Sequence, residues 1–467
     1  MTERIVFGWP TDQLTRDPRI AYNPLSQTYV RQCYESLVDL DSATGEVVPW
    51  LASSWHYSDD TTLELVLSPG RTFSDGSAVT AGRVRESFEA VLNDADFVPL
   101  PGGPAMLDGV RTIRTFGSTV AFDFERFDAA FLRSLASVCL AVSAPNSERE
   151  DRLGTGVWVP DEGEGLAVLR QRAAPRRCEL VFAQTKDRDS FEIYAGRRQG
   201  SDGGHVVQRL NAGLSYGLCP NITRGVLARE QIRYALQRIT DRRSLAEIAL
   251  REGHQEATSV LTPPTWGYTQ LAEEIAPNPH LAHTLLSQSG YERGTDGIYS
   301  SDEYGRLSFE VVFNSTFSSI DLDILTAVQA QWLRHGVELR IVDVDFSELT
   351  RRNTQGDYDF RFFYDTNTDP DVMRYQLAFS RRNKNCRLEP DGLDILLDAQ
   401  ISCRDPRRRR KIVEDIQLEV LRRGLWMPLY NYCAPVTYLP SAHFSLTIDA
   451  ESLVRVHPCP EEERVPS

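Results

Sequence analysis

The sequence predicts an α/β protein built in at least two lobes. Its 467 residues exceed what one ordinary hydrophobic core serves. Leu307 to Phe313 reads as a strand, Val328 and Trp332 share a helix face that stops at Gly336, and Val337 to Val342 reads as the next strand. Strand, helix and strand at this spacing form a crossover unit, which implies parallel pairing.

Composition narrows the functional classes. With 41% hydrophobic and 25% charged residues, the chain has the make-up of a soluble globular protein. A formal net charge of -15 disfavours nucleic acid as a partner, because phosphate binding draws on excess positive charge. No run of about 18 apolar residues occurs, so no bilayer span is expected. The eight cysteines contain no Cys-x-x-Cys, and the eight histidines no paired ligand spacing, so neither metal nor cofactor is expected. Cys33 and Cys139 lie among apolar residues and read as small core residues.

Taken in order, Arg4 to Trp9 reads as an opening strand, followed by a loop with Thr11, Asp12 and Gln13. Val30, Cys33, Tyr34 and Leu37 recur at helical spacing, and Leu63, Leu65 and Leu67 alternate as in a strand. Asp75-Gly76 signals a turn, and Thr80 can cap a helix burying Val84, Phe88, Val91 and Leu92. Val120, Phe122 and Phe124 alternate, and Val138 to Val142 reads as a compact apolar strand. Arg197 to Gly204 reads as a loop. A helix from about Ala228 buries Ile232, Ala235, Leu236 and Ile239, with Asp241 and Arg242 as a cap and ion pair. Leu281, Leu285 and Leu286 mark a helix that stops at Gly290. The basic run Arg407 to Lys411 opens a helix with Ile412, Val413, Ile416 and Val420 inside, and its charge reads as a solvated face.

Several short blocks carry a resemblance. Tyr34-Glu35-Ser36-Leu37-Val38, Gly45 to Pro49, Leu51-Ala52-Ser53-Ser54-Trp55, Phe73-Ser74-Asp75-Gly76 and Gly154-Thr155-Gly156-Val157-Trp158 resemble, in order and spacing, the bacterial family 5 extracellular solute-binding proteins. In the last block Val157 stands where that family usually has proline, and Trp158 where it has tyrosine. The resemblance is thin from 158 to 205, where no Tyr-Trp pair occurs and the lobe looks trimmed, and again after 440.

The resemblance implies a two-lobed periplasmic-binding-protein fold of the larger, three-domain type, with a ligand cleft between the lobes. Lobe one would be 1–212 plus 436–467, including a subdomain at about 46–150, and lobe two 213–435. It implies capture of a small polar organic ligand, peptide-like or glycoside-like, by lobe closure, for an ABC transporter permease, by a monomer. Family members that take dipeptides hold the ammonium with an Asp before an acid-proline pair and the carboxylate with an Arg. Each charge, stripped of water, needs a fixed opposite partner.

Transferred to this chain, the register before Asp369-Pro370 places Thr366 at the ammonium position, with Asp365 and Tyr364 just before it. A one-residue loop slip restores Asp365; its alternative role is a turn-forming residue. Ser315, beside Asn314, stands where the carboxylate Arg would be, so that clamp is expected to be absent. Arg306 and Arg334 are expected to point elsewhere. Trp9 and Asp12 at the first loop, Thr155, Tyr216 and Trp266 complete the candidate ligand contacts. For Trp9 and Asp12 the alternative is a strand-end aromatic and a turn residue.

No Gly-x-Ser-x-Gly, His-Glu-x-x-His or phosphate-binding glycine loop is present, so no enzyme is expected. Met1 leads straight into a strand without an export signal. The resemblance favours a periplasmic or extracellular protein whose signal has been removed. A cytoplasmic sensor, a biosynthetic-pathway protein or a recruited enzyme on the same fold stays open.

Overall fold

The computed structural model describes residues 3–9, 14–21, 23–42, 44–93, 106–107, 109–146, 152–161, 167–172, 178–184, 191–195, 206–209, 214–249, 255–315, 320–366, 369–377, 391–433, 435–441, 443–449 and 453–458. The chain divides into two compact units. One comprises Met1–Asn211 and Ala434–Ser467, the other Ala212–Cys433.

The first unit is built on a seven-stranded sheet. Its order is Val206–Arg209, Pro435–Tyr438, Ile193–Ala195, Glu3–Trp9, Cys178–Gln184, Ala167–Gln171, Trp158–Asp161. The opening strand Glu3–Trp9 runs parallel to both its neighbours and buries Ile5 and Phe7 against Leu180, Phe182 and the helix Pro24–Cys33. That helix differs from the expected one. Asn23 accepts a hydrogen bond from the Ser26 backbone N–H and Pro24 takes the first helical position, which start the helix early. Tyr34 is already extended, so Tyr34 and Leu37 are buried beyond the helix end.

A second sheet in this unit runs Ala52–Tyr57, Thr62–Leu67, Thr119–Phe124, Val110–Phe116, all antiparallel. Leu63, Leu65, Val120 and Phe122 are buried on it. The helix Ala81–Leu92 begins at Thr80, whose side chain accepts from the Arg83 N–H at 3.3 Å, and packs Phe88 edge-on against Phe122. Val84, Phe88 and Val91 are inside as expected, whereas Leu92 is exposed, because one step of about 100° past Val91 leaves the buried stripe. Before the helix, Gly76 takes a φ of +86° and Asp75 accepts from the Ser77 N–H, closing the turn that the sequence signals. Val138–Leu140 forms a 3-10 turn rather than a strand, and Val142 makes an isolated bridge to Glu35. A short apolar run reads alike in either conformation, and Ser137, accepting from the Cys139 N–H, favours the turn here.

The second unit holds a six-stranded mixed sheet in the order Gln255–Glu256, Met427–Tyr432, Leu214–Pro220, Phe360–Thr366, Ser308–Phe313, Glu338–Asp343. The last two strands are parallel, joined through the helix Asp321–Arg334, as the crossover spacing predicts. One apolar cluster gathers Tyr216, Leu218, Val311 and Phe360 from the sheet with Ile232, Leu236, Val328 and Trp332 from helices. The Trp332 indole N–H donates to Thr240 Oγ1 at 2.9 Å, so this large side chain is buried without leaving its donor unmet. A second cluster joins Cys219 and Trp426 to Leu397, Val413, Ile416 and Val420.

Two charged readings change. Asp241 does cap the helix Arg242–Ala249, accepting from the Arg243 N–H. Arg242, however, is buried and donates to the carbonyls of Pro428, Gln237, Thr240 and Ile275, and burial pulls its pKa down to about 9. In the helix Pro406–Arg422, Arg407, Arg408 and Arg410 are exposed but Arg409 is not. One position of the basic run thus faces inward, towards a carboxylate.

Candidate functional site

The strands of the second unit set the candidate residues in rows. Ser215 pairs with Asn431 on one side and Asp365 on the other, and Gln255 extends this row beyond Asn431. In the next row, Tyr216 lies between Tyr430 and Tyr364. Directly opposed residues share a sheet face and successive residues alternate, so Ser215 and Asn431 fall on the face opposite to Tyr216 and Tyr430. Tyr364, Asp365 and Thr366 are placed by backbone register alone; their side chains lie outside the described set.

The tyrosine row belongs to the core. Tyr216 stacks on Tyr430 with centroids 4.8 Å apart and an interplanar angle of 15°, and Tyr430 donates from its hydroxyl to Asp321 Oδ1 at 2.8 Å. Burial, then the Asp321 carboxylate, holds the Tyr430 phenol well above its ordinary pKa, so it stays a neutral donor.

The polar row is different. Ser215 and Asn431 are 3% and 1% exposed, yet Ser215 Oγ and Asn431 Oδ1 have no hydrogen-bond partner among the described residues. Leaving a buried polar atom unmet costs about 1–3 kcal/mol, a condition this unit also carries at Gln237 Oε1 and Arg238 Nε.

A buried ionic network anchors the chain just past this row. Arg409 donates to Asp369 at 2.6 and 3.2 Å, Arg374 binds Asp371 through two bonds of 2.6 Å, and Asp369 also accepts from the Asp371 N–H. Gln400 joins the two pairs: its Oε1 accepts from Arg409 and its Nε2 donates to Asp371. Asp369, Asp371, Arg374, Gln400 and Arg409 are all buried. Trp266 lies under Arg409 and Arg410, whose guanidinium carbons sit 4.9 and 5.2 Å from its ring centroid, so its half-buried indole is engaged within this unit.

At the end of the strand Ser308–Phe313, Asn314 donates to the Val344 carbonyl and the Ser315 N–H donates to Asp343 Oδ1 at 3.0 Å. Among the described residues, the Asp343 carboxylate therefore borders Ser315. Arg306 is held elsewhere, by Glu338 and Asp296.

In the first unit, Trp9 ends its strand half-buried and stacks on Phe7. Asp12 lies outside the described residues. Gly154 and Gly156 press against the end of the helix Pro24–Cys33: a Cβ on them would stand 2.1 Å from the Cys33 carbonyl oxygen and 2.3 Å from that of Gln32. Between them Thr155 is buried, and its Oγ1 has no partner among the described residues. Arg172, which the sequence did not single out, donates to the carbonyls of Thr72, Phe73 and Thr155 and so ties two of the sequence blocks together. Ser215 and Asn431 also escaped sequence reading, since only strand register brings positions so far apart into one row. Among the described residues no three His, Cys, Asp or Glu side chains gather as a metal site, and no helix is long and apolar enough to cross a membrane.

Comparison with known proteins agrees with this architecture. The dipeptide-binding protein of Escherichia coli K12 is 22% identical over 381 residues, covering 70% of this chain and 68% of that protein. The structure of NikA from Brucella suis in complex with Fe(III)-EDTA superposes with a TM-score of 0.80 at 19% identity, covering 98% of this chain and all of the other. The oligopeptide-binding protein AppA of Bacillus subtilis, in complex with a nonapeptide, gives a TM-score of 0.78 at 18% identity, covering 97% of each chain. These likenesses establish the fold as the two-lobed α/β periplasmic-binding-protein architecture. Residues 46–165 and 182–385 match the sequence profile of the bacterial extracellular solute-binding proteins, family 5 Middle, and the chain belongs to that family.

Proposed function

We propose that this protein captures a small polar organic ligand, with no bond made or broken, and passes it as a monomer to an ABC transporter permease on the outer side of a membrane. The observation that carries this reading is the row Asn431, Ser215, Asp365, a line of polar positions in a chain whose family captures solutes. A carboxylate at Asp365 suits an amine-bearing ligand. The Asp343 carboxylate beside Ser315, where dipeptide-binding members would carry a cation, disfavours a second, anionic end close by. A longer peptide, whose terminal carboxylate can lie further off, suits this arrangement better than a free dipeptide.

The test is native mass spectrometry of the purified protein for a co-purified ligand, followed by calorimetric titration of that ligand. Asp365→Asn should preserve the fold and weaken an amine-bearing ligand by about 1.5–3 kcal/mol, the range for a hydrogen bond to a charged group. Scattering should report a smaller radius of gyration when ligand saturates the protein. An unchanged affinity in the Asn variant would refute the role of Asp365, and turnover of the bound ligand would refute pure capture.

A further inference from the structure

Two half-buried histidines of the second unit stand ring to ring on elements that carry none of the polar row. His283 lies on the helix Pro279–Gln288 and His335 caps the C-terminal end of the helix Asp321–Arg334. Their ring centroids are 5.5 Å apart, at an interplanar angle of 51°. A metal ion about 2.1 Å from one nitrogen of each ring would stand about 3.2 Å from each centroid. Centroids 5.5 Å apart then subtend about 120° at the metal, which a small rotation of either ring brings to the tetrahedral value that zinc adopts. His283 Nδ1 is 2.8 Å from the Tyr299 hydroxyl, on a three-stranded sheet of Glu292–Arg293, Tyr299–Ser301 and Gly305–Arg306. In the tautomer whose Nδ1–H donates to that oxygen, Nε2 carries the free lone pair, the arrangement that orients a metal-binding imidazole. No hydrogen bond to a described residue occupies the ring nitrogens of His335.

We infer that His283 and His335 together form a binding site for a borderline divalent transition-metal ion of the zinc class, each ring giving one nitrogen and water filling the remaining positions. The site is independent of solute capture, since none of its elements carries Ser215, Asp365 or Asn431. Magnesium and calcium are poor occupants, because they take oxygen ligands and, among the described residues, no carboxylate joins the two rings in a metal-holding group. Arg293 and Arg334 lie near enough to His335 to oppose positive charge there, and Arg293 uses its Nε and Nη2 donors on the carbonyls of Gly297 and Arg334. Binding therefore comes from the imidazole lone pairs rather than from the local field, which selects ions that favour nitrogen. His280, exposed one turn earlier on the same helix, stands at the spacing of helix neighbours and can replace one water. An ion held by both rings ties the helix Pro279–Gln288 to the end of the helix Asp321–Arg334, so it stabilises the second unit.

The test is calorimetric titration of the full chain with zinc chloride, in a buffer without chelating groups, alongside the single variants His283→Gln, His335→Gln and Tyr299→Phe. The unmodified protein should bind one equivalent whose affinity falls at least tenfold in either histidine variant. Tyr299→Phe should weaken the same equivalent by a smaller factor, because His283 keeps its nitrogen and loses only the partner that orients it. Excess zinc should raise the melting temperature of the unmodified protein and leave that of the two histidine variants unchanged. The control is His56→Gln, at an exposed histidine of the first unit, which should behave as the unmodified protein does. The free cysteines also bind zinc and remain in every variant, so the difference between proteins is the readout. Excess magnesium should displace nothing. Equal affinity in the unmodified protein and both histidine variants would overturn the inference. Loss in only one of those two variants, or an equal loss in His56→Gln, would overturn it as well.

Discussion

Breaking the Arg409–Asp369 pair should be costly, and repairing the charge balance should recover part of the loss. Arg409→Met removes the guanidinium that donates twice to Asp369 and twice to Gln400, and leaves the Asp369 carboxylate buried without its cationic partner. Both partners are nearly inaccessible, with side-chain exposures of 8% and 1%, so solvent cannot replace the lost bonds. Removing one member of such a pair typically costs about 3–5 kcal/mol, chiefly through the uncompensated charge left behind. For a unit of this size each kcal/mol lowers the melting temperature by about 2–4 °C, so a fall of about 6–20 °C is expected. Asp369→Asn should fall in the same range. The double variant removes both charges, and its loss should be smaller than the sum of the single losses by at least about 2 kcal/mol, within the range of couplings measured between neighbours. Chemical denaturation of the four proteins gives the cycle. Single losses under about 1 kcal/mol, or strict additivity, would refute the argument that an unpaired buried charge dominates.

Two further outcomes follow from packing and titration. Gly154→Ala would place a methyl group 2.1 Å from the Cys33 carbonyl oxygen, a backbone atom that cannot rotate away, so the first unit should lose about 1–3 kcal/mol as for an overpacked core; an unchanged melting temperature would show that the loop shifts freely. Burial holds the ordinary pKa of His283 down, assisted by Arg293 and His280, and that of His335 likewise, assisted by His283, Arg334 and Arg293; Tyr299 contacts His283 through its hydroxyl. Since the folded values lie below 6.5, the neutral rings contribute stability that is present above pH 6.5 and lost as pH falls through the folded values. The double variant His283→Gln, His335→Gln should therefore show a shallower fall in melting temperature between pH 7.5 and about 5 than the unmodified protein. His457 in the first unit has the same sign and remains in both, so the difference between the two profiles is the readout, and parallel profiles would refute the assignment.

Much of the architecture was legible because it depends on local patterns. The alternation of Leu63, Leu65 and Leu67 places a strand whose inner face must be apolar, and the crossover at 307–342 has one sterically favoured parallel solution. Thr80 and Gly76 mark a cap and a turn by chemistry that acts within three residues. The errors share a cause as well. Val138 to Val142 and the segment after Cys33 are short apolar runs whose burial suits either period, so the sequence left their conformation to capping bonds and long-range bridges.

The sequence by itself determined the family, the α/β class and the solvent-avoiding faces, since spacing and composition encode them within single elements. Only the tertiary structure decided which polar residues meet. Ser215 and Asn431 are 216 positions apart and become neighbours through strand register, and Arg409, one of several adjacent basic residues, is singled out because the helical turn aims it at Asp369. Such meetings depend on where a strand's partner lies and which way a helix face turns, quantities that no local pattern contains.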